Sequence, residues 1–99
     1  MNEINTRRTL SIIINNYNYA EFLESCILSA LNQTSPALEV IIVDDGSTDS
    51  SAAIIKQFST KVTSISQANQ GQAAAINSGF SASTGDLILF LDADDRLHE

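Results

Sequence analysis

Strand-like and helix-like periodicities alternate along this chain, and that alternation limits the fold more than any other feature. Leu10–Ile14 is a β-branched run bounded by the polar stretch Asn15-Asn16-Tyr17-Asn18, which predicts a first strand. Tyr19, Phe22, Leu23, Cys26, Ile27, Ala30 and Leu31 then recur three or four residues apart. That spacing predicts an amphipathic helix ending near Thr34, with Pro36 as its stop signal. Leu38–Val43 is apolar nearly throughout, the pattern of a strand covered on both faces. The turn Asp44–Asp49 follows and supplies cap residues for a second helix through Ile54, Ile55 and Phe58. Val62–Ile65 reads as a short third strand. Asn69-Gln70-Gly71 opens a third helix, Gln72–Ser83, which Gly85 stops, and Leu87–Leu91 is the fourth strand. Strands joined by helical crossovers imply an α/β fold: an open, mostly parallel sheet with right-handed connections and helices on both faces.

Composition narrows the function. With 99 residues, 43% of them hydrophobic, the chain can build one small core and not two. The net charge is −7, and the bases Arg7, Arg8, Lys56, Lys61 and Arg96 are scattered. A nucleic-acid surface needs clustered positive charge, so no nucleic-acid partner is expected. An acidic chain that binds phosphate is better served by a divalent cation that screens it. Cys26 is alone, which excludes an intrachain disulfide and a cysteine-based zinc site. No apolar run approaches the ~20 residues of a membrane span, and Met1–Arg8 lacks a signal-peptide core. The expected location is the cytoplasm, with the inner face of the membrane as an alternative.

The acids are not scattered. Asp44, Asp45, Asp92, Asp94 and Asp95 all follow the last apolar residue of an expected strand. In a parallel sheet those strand ends share one edge, where open α/β sheets bind ligands. If the first strand separates the second from the fourth, the two acidic groups lie on the order of 10 Å apart, because neighbouring strands are about 4.8 Å apart. Asn16 and Tyr17 would then sit between them, a gap suited to a nucleotide. Asp92 and Asp94, one residue apart, would leave the same face of an extended chain. Two hard oxygen ligands there, completed by water and phosphate, suit Mg²⁺ or Mn²⁺. Tyr17 could stack on a base, and Gly71 at a helix start could admit a phosphate or ribose. Each has a plainer reading: a half-buried structural tyrosine, and a turn glycine. Asp49 and Asp86 read as caps or solvated loop residues, and Cys26 as core.

Together the segments resemble the N-terminal half of the inverting, nucleotide-sugar-dependent family 2 glycosyltransferases of the GT-A fold. The resemblance is carried by Leu10–Asn18, Ser29–Thr34, Glu39–Asp49 with its Asp44-Asp45-Gly46-Ser47, Asn69–Gly79, and Gly85–Asp95 with its Asp92-Ala93-Asp94. It implies strand order 3-2-1-4, and residues 1–99 as the N-terminal, nucleotide-sugar-binding part of a single domain cut after the fourth strand. It further implies that Asn15, Asn16 and Tyr17 hold the nucleobase, commonly uracil, with Tyr17 against its face. Asp45 would accept a hydrogen bond from the base, with Asp44 supporting the turn. Asp94 would bind a metal bridging the diphosphate, and Asp92 would contact the ribose or the metal shell. The donor would be a nucleoside-diphosphate sugar, the acceptor a carbohydrate or lipid-linked hydroxyl.

The chain departs from the family pattern in three places. Asn15 stands where many relatives have Pro, and Ile76 where many have Arg. The family's catalytic base lies downstream of the Asp-x-Asp motif, and none of Asp95, Arg96, Leu97, His98 and Glu99 is assigned that role, so the fragment alone is expected to be inactive. Without further strands, the fourth is expected to expose an apolar edge and to self-associate or be poorly soluble. Two other readings remain open. A haloacid-dehalogenase-type phosphatase carries Asp-x-Asp-Gly-Thr on its first strand, whereas here Asp95 and Arg96 follow the motif on the fourth. A receiver-like or other regulatory nucleotide-binding module needs a lysine at a late strand end, where neither Lys56 nor Lys61 falls.

Overall fold

A computed structural model describes residues 9–33 and 38–94. The elements are β1 (Leu10–Asn16), α1 (Ala20–Leu31), β2 (Leu38–Asp44), α2 (Ser51–Gln57), β3 (Thr63–Ser66), α3 (Gln72–Ala82) and β4 (Leu87–Asp92). All pairings are parallel and the sheet order is β3-β2-β1-β4, as the resemblance implied.

Side chains of β1 and β2 alternate between two cores, which is why both strands are apolar almost throughout. Ile12, Ile14, Val40 and Ile42 face α1 and α2, where they meet Leu23, Cys26, Ile27, Ala30 and Ile55. Ile13, Ile41 and Val43 face α3 and meet Ala75. Cys26 is buried, as expected of a core residue, with its thiol 3.7 Å from the Asp92 carbonyl oxygen. β3 is the weakest strand: only Ile65 is partly covered. Among the described residues β4 is the other sheet edge, with Leu87 and Phe90 exposed.

Several boundaries differ from the sequence reading. β1, β2 and β4 each continue beyond their apolar runs, to Asn16, Asp44 and Asp92, because backbone pairing continues where side-chain hydrophobicity stops. α1 ends earlier, at Leu31; Thr34 and Pro36, taken as its end and stop, lie outside the described residues, as do Asp95 and the four residues after it. Tyr19 and Phe22 were expected on the buried stripe, yet both are exposed. Tyr19 precedes the first turn of α1, and the two rings pack on each other instead, 6.4 Å apart and tilted by 59°.

The end of the sheet remote from the acids is tied by one carboxylate. Glu39 Oε2 accepts hydrogen bonds from Ser11 Oγ (2.6 Å), Thr84 N (3.0 Å) and Thr84 Oγ1 (3.2 Å), while Gly85 N donates to Ser11 Oγ (2.9 Å). The Ser11 hydroxyl, with Thr84 adding to it against partial desolvation, holds Glu39 below its ordinary pKa. The unfolded chain therefore takes up this proton more readily. The stabilisation is complete above the ordinary glutamate range and is lost as pH falls through the lowered folded value. Urea midpoints measured against pH are expected to show a shallower acid limb for Glu39→Gln than for wild type; superimposable limbs would contradict this.

Candidate functional site

Parallel pairing brings the C-terminal ends of β2, β1 and β4 to one rim, so Asp45, Tyr17 and Asp92 meet there. They line a cleft of about 260 Å³ with Asn15, Tyr19, Asn69, Gly71 and Gln72. Two strand-end aspartates flank a tyrosine within a single cavity, the juxtaposition that the order β2-β1-β4 requires.

Asp45 is 4% exposed and is the most tightly held of these groups. Its Oδ1 accepts from Gln67 Nε2 (2.9 Å) and Gln70 N (2.8 Å), its Oδ2 from Gly71 N (3.0 Å). Gln67, then the Gln70 and Gly71 amides, outweigh desolvation and keep the carboxyl below the usual aspartate range. Gly71 reaches this position with φ +99° and ψ 165°, a region that is essentially glycine's own. Its role is thus visible first as loop geometry: it turns an N–H onto Asp45 at the cleft wall.

Asn16 and Asp44 do not line this cleft. Asn16 is fully buried and donates from Nδ2 to Asp44 Oδ1 (2.8 Å) and to Ser47 Oγ (3.1 Å). Asp44 also accepts from Ser47 N and Oγ, which folds the Gly46–Asp49 turn back onto the strand end. Both act behind the wall, since strand alternation turns Asn16 away from the face that Asn15 and Tyr17 share. Asp94 is exposed and also lies outside the cleft lining. The extended geometry expected to align it with Asp92 is not kept. β4 ends at Asp92, and Ala93 donates its N–H to the Asn15 carbonyl (2.9 Å), sinks its methyl into the core, and starts a turn.

Several residues were missed by sequence reasoning. Asn18 has φ 57°, and its Oδ1 accepts from Thr48 N (2.8 Å) and Asp49 N (3.3 Å), clamping the two strand-end loops together. An asparagine in a polar turn tolerates this conformation, and that was its available signal. Asp49, read as a cap, caps twice: Oδ1 accepts from Ser51 N and Oδ2 from Ala20 N, at the starts of α2 and α1. Tyr19, Asn69 and Gln72 carry no pattern that separates them from ordinary helix-entry residues, yet all three line the cleft.

The cleft's own donor set is sparse for a cation. Among the described residues no three His, Cys, Asp or Glu side chains cluster closely enough to hold a metal ion. Mg²⁺ and Mn²⁺ in phosphate-handling sites take one or two protein carboxylates and complete the shell with water and phosphate. Asp92 at the cleft, with the buried and unpartnered Asn15 Oδ1 beside it, meets that lesser requirement. Among the described residues no helix is long and apolar enough to cross a membrane.

Comparison with known proteins accords with this geometry. An uncharacterized glycosyltransferase of Nostoc sp. is 52% identical over 90 residues, a match covering 87% of this chain and 28% of that protein. The chain thus spans about 28% of the length of that relative. The mannosyltransferase PcManGT from Pyrobaculum calidifontis, solved in complex with GDP-Man and Mn²⁺, superposes with a TM-score of 0.83 at 27% identity, over 89% of this chain and 28% of that one. Staphylococcus aureus TarS 1-349, in complex with UDP-GlcNAc, superposes with a TM-score of 0.78 at 26% identity, over 89% of this chain and 27% of that one. The family model described as "Glycosyl transferase family 2" matches residues 11–99, and the chain therefore belongs to that family.

Proposed function

We propose that the chain forms the donor-binding part of a glycosyltransferase that moves a sugar from a nucleoside diphosphate, UDP by preference, to an acceptor hydroxyl with inversion. The observation that carries this reading is the shared cleft, with Asp45 and Asp92 at the ends of the strands either side of β1 and Tyr17 between them. Tyr17 offers its exposed ring to the face of a base. The ionised Asp45 accepts from a base N–H, while Asn16 and Asp44 hold the loop from behind. Asp92 faces the diphosphate side, and Asp94, exposed two residues further on, is the second carboxylate offered to the cation. A bound Mg²⁺ or Mn²⁺ would neutralise charge on the departing diphosphate. The acceptor is a carbohydrate or lipid-linked hydroxyl, met in the cytoplasm or at the inner face of the membrane. Relatives are much longer, and the catalytic base is sought outside these residues; binding without turnover is expected of the chain alone.

Calorimetric titration of the chain with UDP and with GDP, each with and without Mn²⁺, tests this. UDP binding that strengthens with Mn²⁺ and exceeds GDP binding is expected; no nucleotide binding in any arm would refute the reading. Self-association along the outer edge of β4 belongs to the same proposal, and light scattering is expected to return a dimer mass.

A further inference from the structure

Two neutral amides from different elements hold the Asp92 carboxylate. Asn15 on β1 donates from Nδ2 to Asp92 Oδ1 at 3.3 Å, and Gln72 in the first turn of α3 donates from Nε2 to the same oxygen at 3.1 Å. All three line the cleft. The first contact follows from register, since Asn15 and Asp92 are direct partners across the β1–β4 seam.

The cost of this arrangement is visible. Asn15 Oδ1 is buried and has no hydrogen-bond partner. An apolar residue of similar size at this position would leave no such orphan. The opposite amide orientation would set a carbonyl oxygen against a carboxylate, acceptor facing acceptor. Asn15 is therefore oriented by its donation to Asp92. The charge of the donors points the same way: both are neutral. A lysine or arginine in either place would itself compete with an incoming cation, whereas an amide fixes the carboxylate without bringing a charge of its own.

We infer that Asn15 and Gln72 are positioning residues that set the torsion of the Asp92 carboxylate, so that a divalent cation and its diphosphate meet it already oriented. Ordering the ligand beforehand removes an entropic loss from the binding step. The inference rests on the cation-dependent reading of the cleft.

Mn²⁺ binding to the chain, followed by the electron paramagnetic resonance of the free ion in the presence of UDP, tests it in wild type, Asn15→Leu, Gln72→Leu, Asp92→Asn and the two doubles with Asp92→Asn. Each leucine variant is expected to weaken Mn²⁺ binding on the order of tenfold, the usual effect of removing a group that orients a metal ligand. In the Asp92→Asn background the same substitutions are expected to add nothing. Thermal melts accompany each variant; Gln72 is exposed, so Gln72→Leu keeps the fold even if Asn15→Leu does not. Wild-type affinity in a folded Gln72→Leu chain, or an equal loss with and without Asp92, overturns the inference. UDP binding by wild type that is indifferent to Mn²⁺ overturns the reading beneath it, and the inference with it.

Discussion

Gly79→Ala is expected to destabilise this domain, although alanine is the better helix former. Gly79 lies within α3, where glycine is ordinarily worth about 1 kcal/mol less than alanine. Its Cα faces the sheet so closely that an added Cβ would collide with Ile13 Cγ2 and lie 3.2 Å from Val43 Cγ2. Both neighbours are buried, β-branched and central in the sheet, so neither turns aside readily. Overpacking of this kind costs about 1–3 kcal/mol. Set against the propensity gain, a net loss of up to about 2 kcal/mol remains, and each kcal/mol is a fall of roughly 4–8 °C in Tm for a domain of this size. Ile13→Leu removes the β-branch methyl that the new Cβ meets, so the double variant is expected to lose less than the two singles together. Urea denaturation of the four chains measures this. A Gly79→Ala chain more stable than wild type would mean that α3 stands farther from β1 than described, and the position of Gly71 and Gln72 at its start would need revision.

The same close packing shows what the sequence could disclose and what it could not. Elements were legible because burial imposes a period: Ile12 and Ile14 need one core and Ile13 the other, and no loop presents such a run. The order β3-β2-β1-β4 was legible only through resemblance, since period carries no information about which strands are neighbours. The acids at the rim could be placed because parallel strands end together. Which of them face the cleft could not, because that depends on single-residue strand alternation at the polar tips. Asn15 and Asn16 look alike in sequence, yet one lines the cleft and the other is sealed behind it with Asp44. Asp94 turned away for a tertiary reason, the burial of Ala93, which no local pattern announces. The clamp from Asn18 to Thr48 and Asp49 joins residues about thirty apart along the chain, and such pairing is visible only once the sheet has formed.

Asp45→Asn is expected to remove most nucleotide affinity, nearly as completely as Asp45→Ala, even though the side chains of Asp and Asn have the same shape. The reason is the direction of every bond it makes. Oδ1 receives two N–H groups, from Gln67 and Gln70, and Oδ2 receives one, from Gly71. A carboxylate accepts on both oxygens, whereas an asparagine must turn its NH₂ toward at least one of these donors. Donor then faces donor, the Gln70–Gly71 turn moves off the strand end, and the wall of the cleft opposite Asp92 moves with it. Hydrogen bonds to a charged partner are the strong ones, so a loss on the order of 10–100-fold in UDP affinity is expected by calorimetry. The three donors also set the pH behaviour. They favour the ionised form, so the folded pKa lies below the ordinary aspartate value. The carboxylate and its contacts persist through the usual aspartate range and are lost only as pH falls through the lowered value. Amide chemical shifts of Gln70 and Gly71, followed by nuclear magnetic resonance during an acid titration, are expected to move below that range in wild type and to show no such step in Asp45→Asn. An Asp45→Asn chain that binds UDP as wild type does would show that the Gln67–Gly71 loop holds its place without the charge, and base recognition would have to be sought at Tyr17 and Asn69 instead.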